Sequence, residues 1–367
     1  MKRYIALFCL SLALISCHSS RQLVVTKAND RIITSHGRTV YDTNNDLVLI
    51  TAASYAEFKF SGDSCIVYLQ NKTYPGDYNY VAIELDNIYK GRLKVDGTEP
   101  KPYIINATTL ANVHTLRIYK ATEASNGNVV LTEIKAAWLK AVKQPKQKTI
   151  EFIGNSITAG MANDTKDIPC GTGKWYDQHN AYWAYGPILA RALKVDFMLS
   201  AVSGIGIYRN WNSNGPTMPQ VYENSFLNTD STQRWDFSRY SPDIVSIALG
   251  TNDFSDGDGR SERLPFDSAI FIRNYVSFIG TVYRHYPNTQ IALLTSPMLN
   301  GARRDLHFAC LQSIKKKVTI LYPDKQPVEI FQFQPMIPKG CSYHPDLADH
   351  EILAREVQPF FERLLAK

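Results

Sequence analysis

A serine hydroxyl is a weak nucleophile until a base sits within hydrogen-bond reach and N–H donors wait for the oxyanion that its attack creates. Four separated stretches of this 367-residue chain carry residues of those types. In Gly154-Asn155-Ser156-Ile157-Thr158-Ala159-Gly160, glycines flank a serine where a short apolar run gives way to a probable helix; such a turn exposes the hydroxyl and surrounds it with backbone N–H groups. Ser200-Ala201-Val202-Ser203-Gly204-Ile205-Gly206 holds two glycines, Gly204 and Gly206, and either could bring a main-chain N–H against a ligand. Gly250-Thr251-Asn252-Asp253 adds a side-chain amide donor in Asn252, with Asp253 better suited to accept structural hydrogen bonds. Gly340-Cys341-Ser342-Tyr343-His344-Pro345 supplies an imidazole on a proline-held loop. Nucleophile, two kinds of donor and base are thus all present. Each also has a plainer reading: Ser156 as a helix N-cap, Asn252-Asp253 as a turn, and His350 as a rival histidine in the closing helix, exposed or capping there.

The flanking patterns say what must position these residues. Short β-branched or alternating runs at 47–50, 55–60, 65–69, 80–85, 91–95, 103–106, 113–119 and 129–138 are separated by Asn/Asp/Gly/Ser/Pro clusters. They predict an all-β, antiparallel jelly-roll sandwich, with a barrel as the alternative. After the polar, basic segment 141–148 the pattern changes. Strands at 149–153, 195–201, 243–250, 290–296 and 328–333 alternate with helices at 181–193, 265–286, 303–321 and 348–365. That alternation predicts a three-layer α/β domain with a parallel sheet, in which chemistry collects at the carboxyl ends of the strands. The expected division is 1–16 signal peptide, 17–23 tether, 24–140 sandwich, 141–148 linker and 149–367 α/β hydrolase domain.

Taken in order, Gly154-Asn155-Ser156-Ile157-Thr158, Gly204, Gly250-Thr251-Asn252-Asp253 and His344-Pro345 resemble the four blocks of the SGNH, or GDSL-type, hydrolases over about 220 residues. A jelly roll in front, asparagine before the serine, and Asn180-Ala181-Tyr182-Trp183-Ala184-Tyr185-Gly186 are similar to carbohydrate esterase family two, the acetylxylan esterases. The resemblance implies Ser156 as nucleophile and His344 as general acid/base. It implies an oxyanion hole of Ser156 N–H, Gly204 N–H and the Asn252 amide, with no cofactor and no metal. One departure stands out: where such enzymes usually carry an orienting aspartate, two or three residues before the histidine, this chain has Ser342 and Cys341. A Ser–His dyad oriented by a backbone carbonyl is the expected arrangement, with Asp346 and Asp349 as substitutes on the wrong side of Pro345. The implied activity is release of O-acetyl groups from xylan, glucomannan or a related plant polysaccharide. The competing readings are a lipase, thioesterase or acyltransferase of the same chemistry, and a carbohydrate-binding protein with a degenerate hydrolase domain. Trp175, Trp183 and Trp211 are candidate sugar-stacking residues; core packing is the plainer account of each.

Composition excludes other classes. Forty Lys+Arg against 34 Asp+Glu, with no long block of one sign, gives no support for nucleic-acid binding. No histidine pair has ligand spacing such as HExxH. Lys2 and Arg3 precede an apolar run at 4–15, too short to span a bilayer but suited to export, and Leu14-Ile15-Ser16-Cys17 resembles a bacterial lipobox. The expectation is an exported bacterial lipoprotein, acylated at Cys17, periplasmic or outer-membrane associated, meeting the membrane only through that anchor. Cys65, Cys170, Cys310 and Cys341 remain, too widely spaced for a metal knuckle. Cys170 with Cys341 is one candidate disulfide, and buried free thiols are the other account.

Overall fold

Along the strand Ser64–Lys72 the inward residues Cys65, Val67 and Leu69 alternate with the half-exposed Ser64, Ile66, Tyr68 and Gln70, the period-two pattern of a half-buried strand. The computed structural model, which describes residues 23–366 apart from 108–110, 144, 146 and 261, repeats that pattern in two antiparallel sheets. The first runs Thr39–Tyr41, Leu47–Leu49, Asn128–Ala136, Ser64–Lys72 and Lys101–Asn106, with Val24–Lys27 also on Asn128–Ala136. The second runs Trp138–Lys140, Tyr55–Ser61, Val113–Lys120, Asn79–Leu85 and Ile88–Val95, with Thr34–His36 on Tyr55–Ser61. Phe58, Phe60, Val67, Leu69, Leu116, Ile118 and Leu131 fill the space between the two sheets. This is a jelly-roll sandwich. The run expected as one strand at 129–138 is interrupted at Ala137, and its two parts join opposite sheets, as a chain does when it turns a sandwich corner. The segment 1–16 and Cys17 lie outside the described residues.

From Thr149 onward five parallel strands stand in the order Asp196–Ala201, Thr149–Gly154, Ile244–Ala248, Gln290–Leu294, Glu329–Phe331. Adjacent residues of the first strand face opposite layers. Phe152 packs with the helices Tyr185–Leu193 and Leu347–Leu365, while Ile153 belongs with Ser268–His285 and Gly301–Leu321. The strand order reverses beside Thr149–Gly154, the place where open α/β sheets bind ligands. The helix expected at 181–193 is broken. A single turn, Ala181–Trp183, is separated from Tyr185–Leu193 by Ala184, whose backbone is extended. The physical reason lies in the other domain: the Ala181 N–H donates to the Ala121 carbonyl of the sandwich at 2.9 Å, which fixes the chain before the helix starts.

Two sandwich residues lock the domains together. Arg38, wholly buried, donates from Nε to Ser200 Oγ (3.0 Å) and from Nη1 to the Asn224 carbonyl (3.1 Å). Its guanidinium stands 3.7 Å from Glu151, a lone carboxylate inside the first parallel strand, and lies over the Tyr222 ring. A charge in the middle of Thr149-Ile150-Glu151-Phe152-Ile153 was a legible demand for a partner, since burying an unpaired carboxylate is costly. His36, stacked on Tyr55, bridges Glu57 of its own domain and Asp196 of the other, each at 3.1 Å.

Burial alone would lower the His36 pKa, but the hydrogen bonds and charges of Asp196 and Glu57 outweigh it and raise the value to about 9. A histidine with its folded-state pKa above its unfolded value of about 6.5 stabilises fully below pH 6.5 and loses that contribution as pH rises toward 9, at most about 3 kcal/mol. The gap in Tm between the wild type and His36→Asn should therefore be widest near pH 6 and narrow by pH 10. A gap that does not change with pH would contradict the bridge.

Candidate active site

The first parallel strand ends in a turn built for close approach. A Cβ on Gly154 would stand 2.0 Å from Thr158 Oγ1, so this position tolerates no side chain. Asn155 caps the short helix Ser156–Ala159, its Oδ1 accepting the Ile157 N–H at 3.1 Å. The capping role that a serine commonly takes thus falls to Asn155. Ser156 occupies the first helical position, where its N–H has no partner within the helix. Gly160, in the left-handed conformation, closes the turn.

Ser156 Oγ meets His344 Nε2 at 2.8 Å. The other ring nitrogen, Nδ1, is 2.8 Å from the Ser342 carbonyl. A carbonyl can only accept, so Nδ1 carries the hydrogen and Nε2 is left to accept from the serine hydroxyl. The Ser342 carbonyl reaches the ring because Ser342 and Tyr343 both adopt left-handed backbone conformations, φ 52° and 60°. Surrounding contacts hold that strained loop. Gly340 N–H donates to the His344 carbonyl (2.8 Å), Cys341 N–H donates to the Ala162 carbonyl (3.0 Å), and Cys341 is disulfide-bonded to Cys170 with Cα atoms 5.2 Å apart. Cys65 and Cys310 are buried free thiols. Burial lowers the His344 pKa below its ordinary value, against the smaller effect of the Ser342 carbonyl, so the ring is neutral at neutral pH and able to take a proton. Asp346 and Asp349 do not orient it. They form a reciprocal cap at the start of Leu347–Leu365, with Asp349 also accepting the Lys339 N–H.

Gly204 and Gly206 are separated by their surroundings. Gly204 (φ +78°) lies on the wall of the cleft with open space where a side chain would stand, whereas a Cβ on Gly206 would strike the Arg209 carbonyl at 2.1 Å and Asp253. Asn252 follows Gly250, at φ +131° and tight against His307, and its amide donates one hydrogen to the Ile205 carbonyl at 2.8 Å, which leaves the second for a ligand. Asp253 is a buried acceptor for the N–H groups of Ile207, Tyr208 and Arg209. Ser156, Gly204, Asn252 and His344 all line one cleft of about 1600 Å³.

That cleft is shared by both domains. Asn71, Thr73, Tyr74 and Ser125 of the sandwich face it, together with Trp175, Trp211 and Tyr343. The aromatic members are strongly exposed: Tyr343 at 85%, Tyr74 at 74%, Trp175 at 50% and Trp211 at 47%. Trp183 does not belong to this group. It packs edge-on against Tyr89 and Tyr182, because the turn after Asn180 points it into the domain interface. Tyr74 and Tyr343 went unread in the sequence; an aromatic before Pro75-Gly76 and one next to the histidine were the available signals. His350 is buried rather than exposed, accepts the Tyr185 N–H at Nδ1 and has its pKa pushed down to about 3 by burial, so it serves the fold. Among the described residues, no group of three His, Cys, Asp or Glu side chains could hold a metal ion.

A serine–histidine pair at the carboxyl ends of a parallel sheet, with glycine and asparagine on the next strand ends, is the arrangement of an SGNH-type hydrolase. Residues 35–145 match the carbohydrate esterase 2 N-terminal domain and residues 152–319 the GDSL-like lipase/acylhydrolase family, a match that stops short of His344. The chain is thus a GDSL-type hydrolase domain carrying the N-terminal domain of carbohydrate esterase family two. It is 32% identical over 287 residues to the cellulase/esterase CelE of Acetivibrio thermocellus, covering 72% of this chain but only 33% of that protein; the chain spans a third of that relative's length. It is 28% identical to an acetylxylan esterase / glucomannan deacetylase of Cellvibrio japonicus, covering 76% of this chain and 82% of that one. Among solved structures, a family two carbohydrate esterase from Clostridium thermocellum in complex with cellohexaose superposes with a TM-score of 0.79 and 27% identity, covering 91% of this chain and 99% of that one.

The Cys170–Cys341 bond closes a separation of 171 residues and begins the turn that carries His344. Replacing both with serine should cost about 2–5 kcal/mol of stability. It should also lower kcat on an activated ester by about tenfold while leaving KM within a factor of two or three. A double variant with wild-type kcat at a temperature where it is folded would show that the loop holds His344 without the bond.

Proposed function

We propose that this chain is a serine esterase that removes O-acetyl groups from plant cell-wall polysaccharide of the xylan or glucomannan type. The observation that carries the reading is the 2.8 Å contact of Ser156 Oγ with His344 Nε2, on a cleft wall shared with Gly204 and Asn252. His344 takes the hydroxyl proton as Ser156 Oγ attacks the acetyl carbonyl. The oxyanion is met by the N–H groups of Ser156 and Gly204 and by the Asn252 amide. As the tetrahedral intermediate collapses, His344 returns the proton to the departing sugar oxygen and leaves an acetyl-enzyme. Water, deprotonated by the same imidazole, attacks that ester, and acetate leaves as the proton passes back to Ser156. The Ser342 carbonyl fixes the ring tautomer, although it stabilises the imidazolium less than a carboxylate would. The exposed rings of Trp175, Trp211, Tyr74 and Tyr343 supply flat apolar faces of the kind on which sugar rings stack. The acetylxylan esterase / glucomannan deacetylase relatives support the substrate class. The lipase and thioesterase readings lack a comparable observation.

We also propose export and tethering through Cys17, resting on Lys2, Arg3, the apolar run 4–15 and Leu14-Ile15-Ser16-Cys17. A fatty-acid label incorporated by the wild type and lost in Cys17→Ala is the expected result; equal labelling of both would refute it.

The enzymatic reading predicts acetate release from acetylated xylan or glucomannan, turnover of acetyl esters far above octanoyl esters, and loss of at least about 10³-fold in kcat for Ser156→Ala. Near-normal hydrolysis by Ser156→Ala would remove the mechanism, and a preference for octanoyl esters would redirect the substrate class.

A further inference from the structure

The turn that presents Gly204 is held from its own domain chiefly on its far side, where the Gly204 carbonyl accepts the Trp211 N–H and the Ile205 carbonyl the Asn252 amide, each at 2.8 Å. Val202 N–H reaches the Gly154 carbonyl and Ile205 N–H the Val202 carbonyl at 3.4 Å each, near the limit of a useful hydrogen bond. On the near side, ahead of Gly204, the short contact comes from the sandwich domain. Glu123 Oε2 accepts the N–H of Ser203, the residue immediately before Gly204, at 2.7 Å. Glu123 is wholly buried, and its other oxygen accepts from Ser125 Oγ at 3.0 Å. A carboxylate accepting a backbone N–H in a dry site is about twice as strong as a neutral pair. Ser125 and Ala124 then continue along the cleft wall beside Ser203 and Gly204.

A bare carboxylate behind an oxyanion site would oppose the charge that develops there. Lys120 answers that objection. It is wholly buried three residues away, its Nζ donating to the carbonyls of Thr122 (3.1 Å) and Glu123 itself (2.6 Å); burial pushes the Lys120 pKa down to about 7 against the pull of Glu123, and raises that of Glu123, so the carboxyl group does not stand there as an unopposed full charge. The sandwich thus delivers a directed acceptor, with a buried amine beside it, to the back of the turn.

We propose that Glu123 is a positioning residue for the oxyanion site, a contribution of the jelly-roll domain to the reaction: by fixing the Ser203 N–H it holds the Gly204 N–H toward the acyl carbonyl. The inference rests on the assignment of Ser156 and Gly204 made above. Glu123 touches no reacting atom and acts through the 202–205 turn. Removing an oxyanion donor outright typically costs 10²–10³-fold in kcat; a donor left in place but unfixed should cost less.

The test uses the full chain with p-nitrophenyl acetate, with Tm measured for each variant. Glu123→Ala should lower kcat about 10–100-fold with KM changed less than threefold, and Glu123→Gln, which retains an acceptor oxygen of the same reach, should stay within about fivefold of wild type. That rescue is the outcome a merely structural role would not produce. Wild-type kcat in folded Glu123→Ala, a rise in KM alone, or equal losses in both variants that follow the fraction folded would each overturn the proposal. Ser156→Ala run in parallel separates the two claims: if it is inactive while Glu123→Ala is not, only the positioning role fails, and if it is active, the site assignment itself fails.

Discussion

The hydrogen bond between Ser156 and His344 joins residues 188 positions apart, and most of the architecture serves that contact. Neither side chain can be placed by local structure. The serine needs a strand to end at a fixed height in a sheet, and the histidine needs a loop from beyond the last strand to return over the same edge. A parallel sheet meets both demands, because every strand ends on the same side and each end can carry one chemical part. The helices that cover the sheet keep water from the backbone of the strands, so the strand ends are rigid and only the loops vary.

How His344 is oriented shows what geometry can replace. A carboxylate would fix the imidazole and stabilise its charged form; a main-chain carbonyl does only the first. The chain obtains that carbonyl by holding Ser342 and Tyr343 in a backbone region that side-chain-bearing residues seldom occupy, and by tying the turn to Ala162 and Cys170. Two nearby aspartates that might have served are engaged as a helix cap instead. The same strain leaves Tyr343 almost wholly exposed at the rim of the cleft.

Much of this was legible beforehand, for stated physical reasons. The strand–helix alternation after residue 149 and the four motif blocks share one cause: glycines and polar groups are needed where strands end. Their convergence on one cleft followed from the topology. What could not be read was set by tertiary contact. Gly204 and Gly206 look alike in sequence, and only the Arg209 carbonyl and Asp253 show that Gly206 is walled in. Trp183 has the composition of a sugar platform, but the domain interface claims it. The short strands at Val24–Lys27, Thr34–His36 and Thr39–Tyr41 carry too few residues for a periodicity to show. Glu151 lay inside a strand expected to be buried, yet nothing in the sequence pointed to Arg38 as its partner.

That pair bears on how such a protein can be taken apart. If the front domain were deleted or exchanged for an unrelated one, Glu151 would lose its counter-ion and keep only its hydrogen bonds from Ser200 and Tyr222, and the aromatic surface of Tyr182 and Phe197 would be uncovered. The two halves look like beads on a string when their boundary is drawn by composition. The contacts across the boundary make them one folding unit, so the catalytic half on its own starts with its best-buried flank stripped.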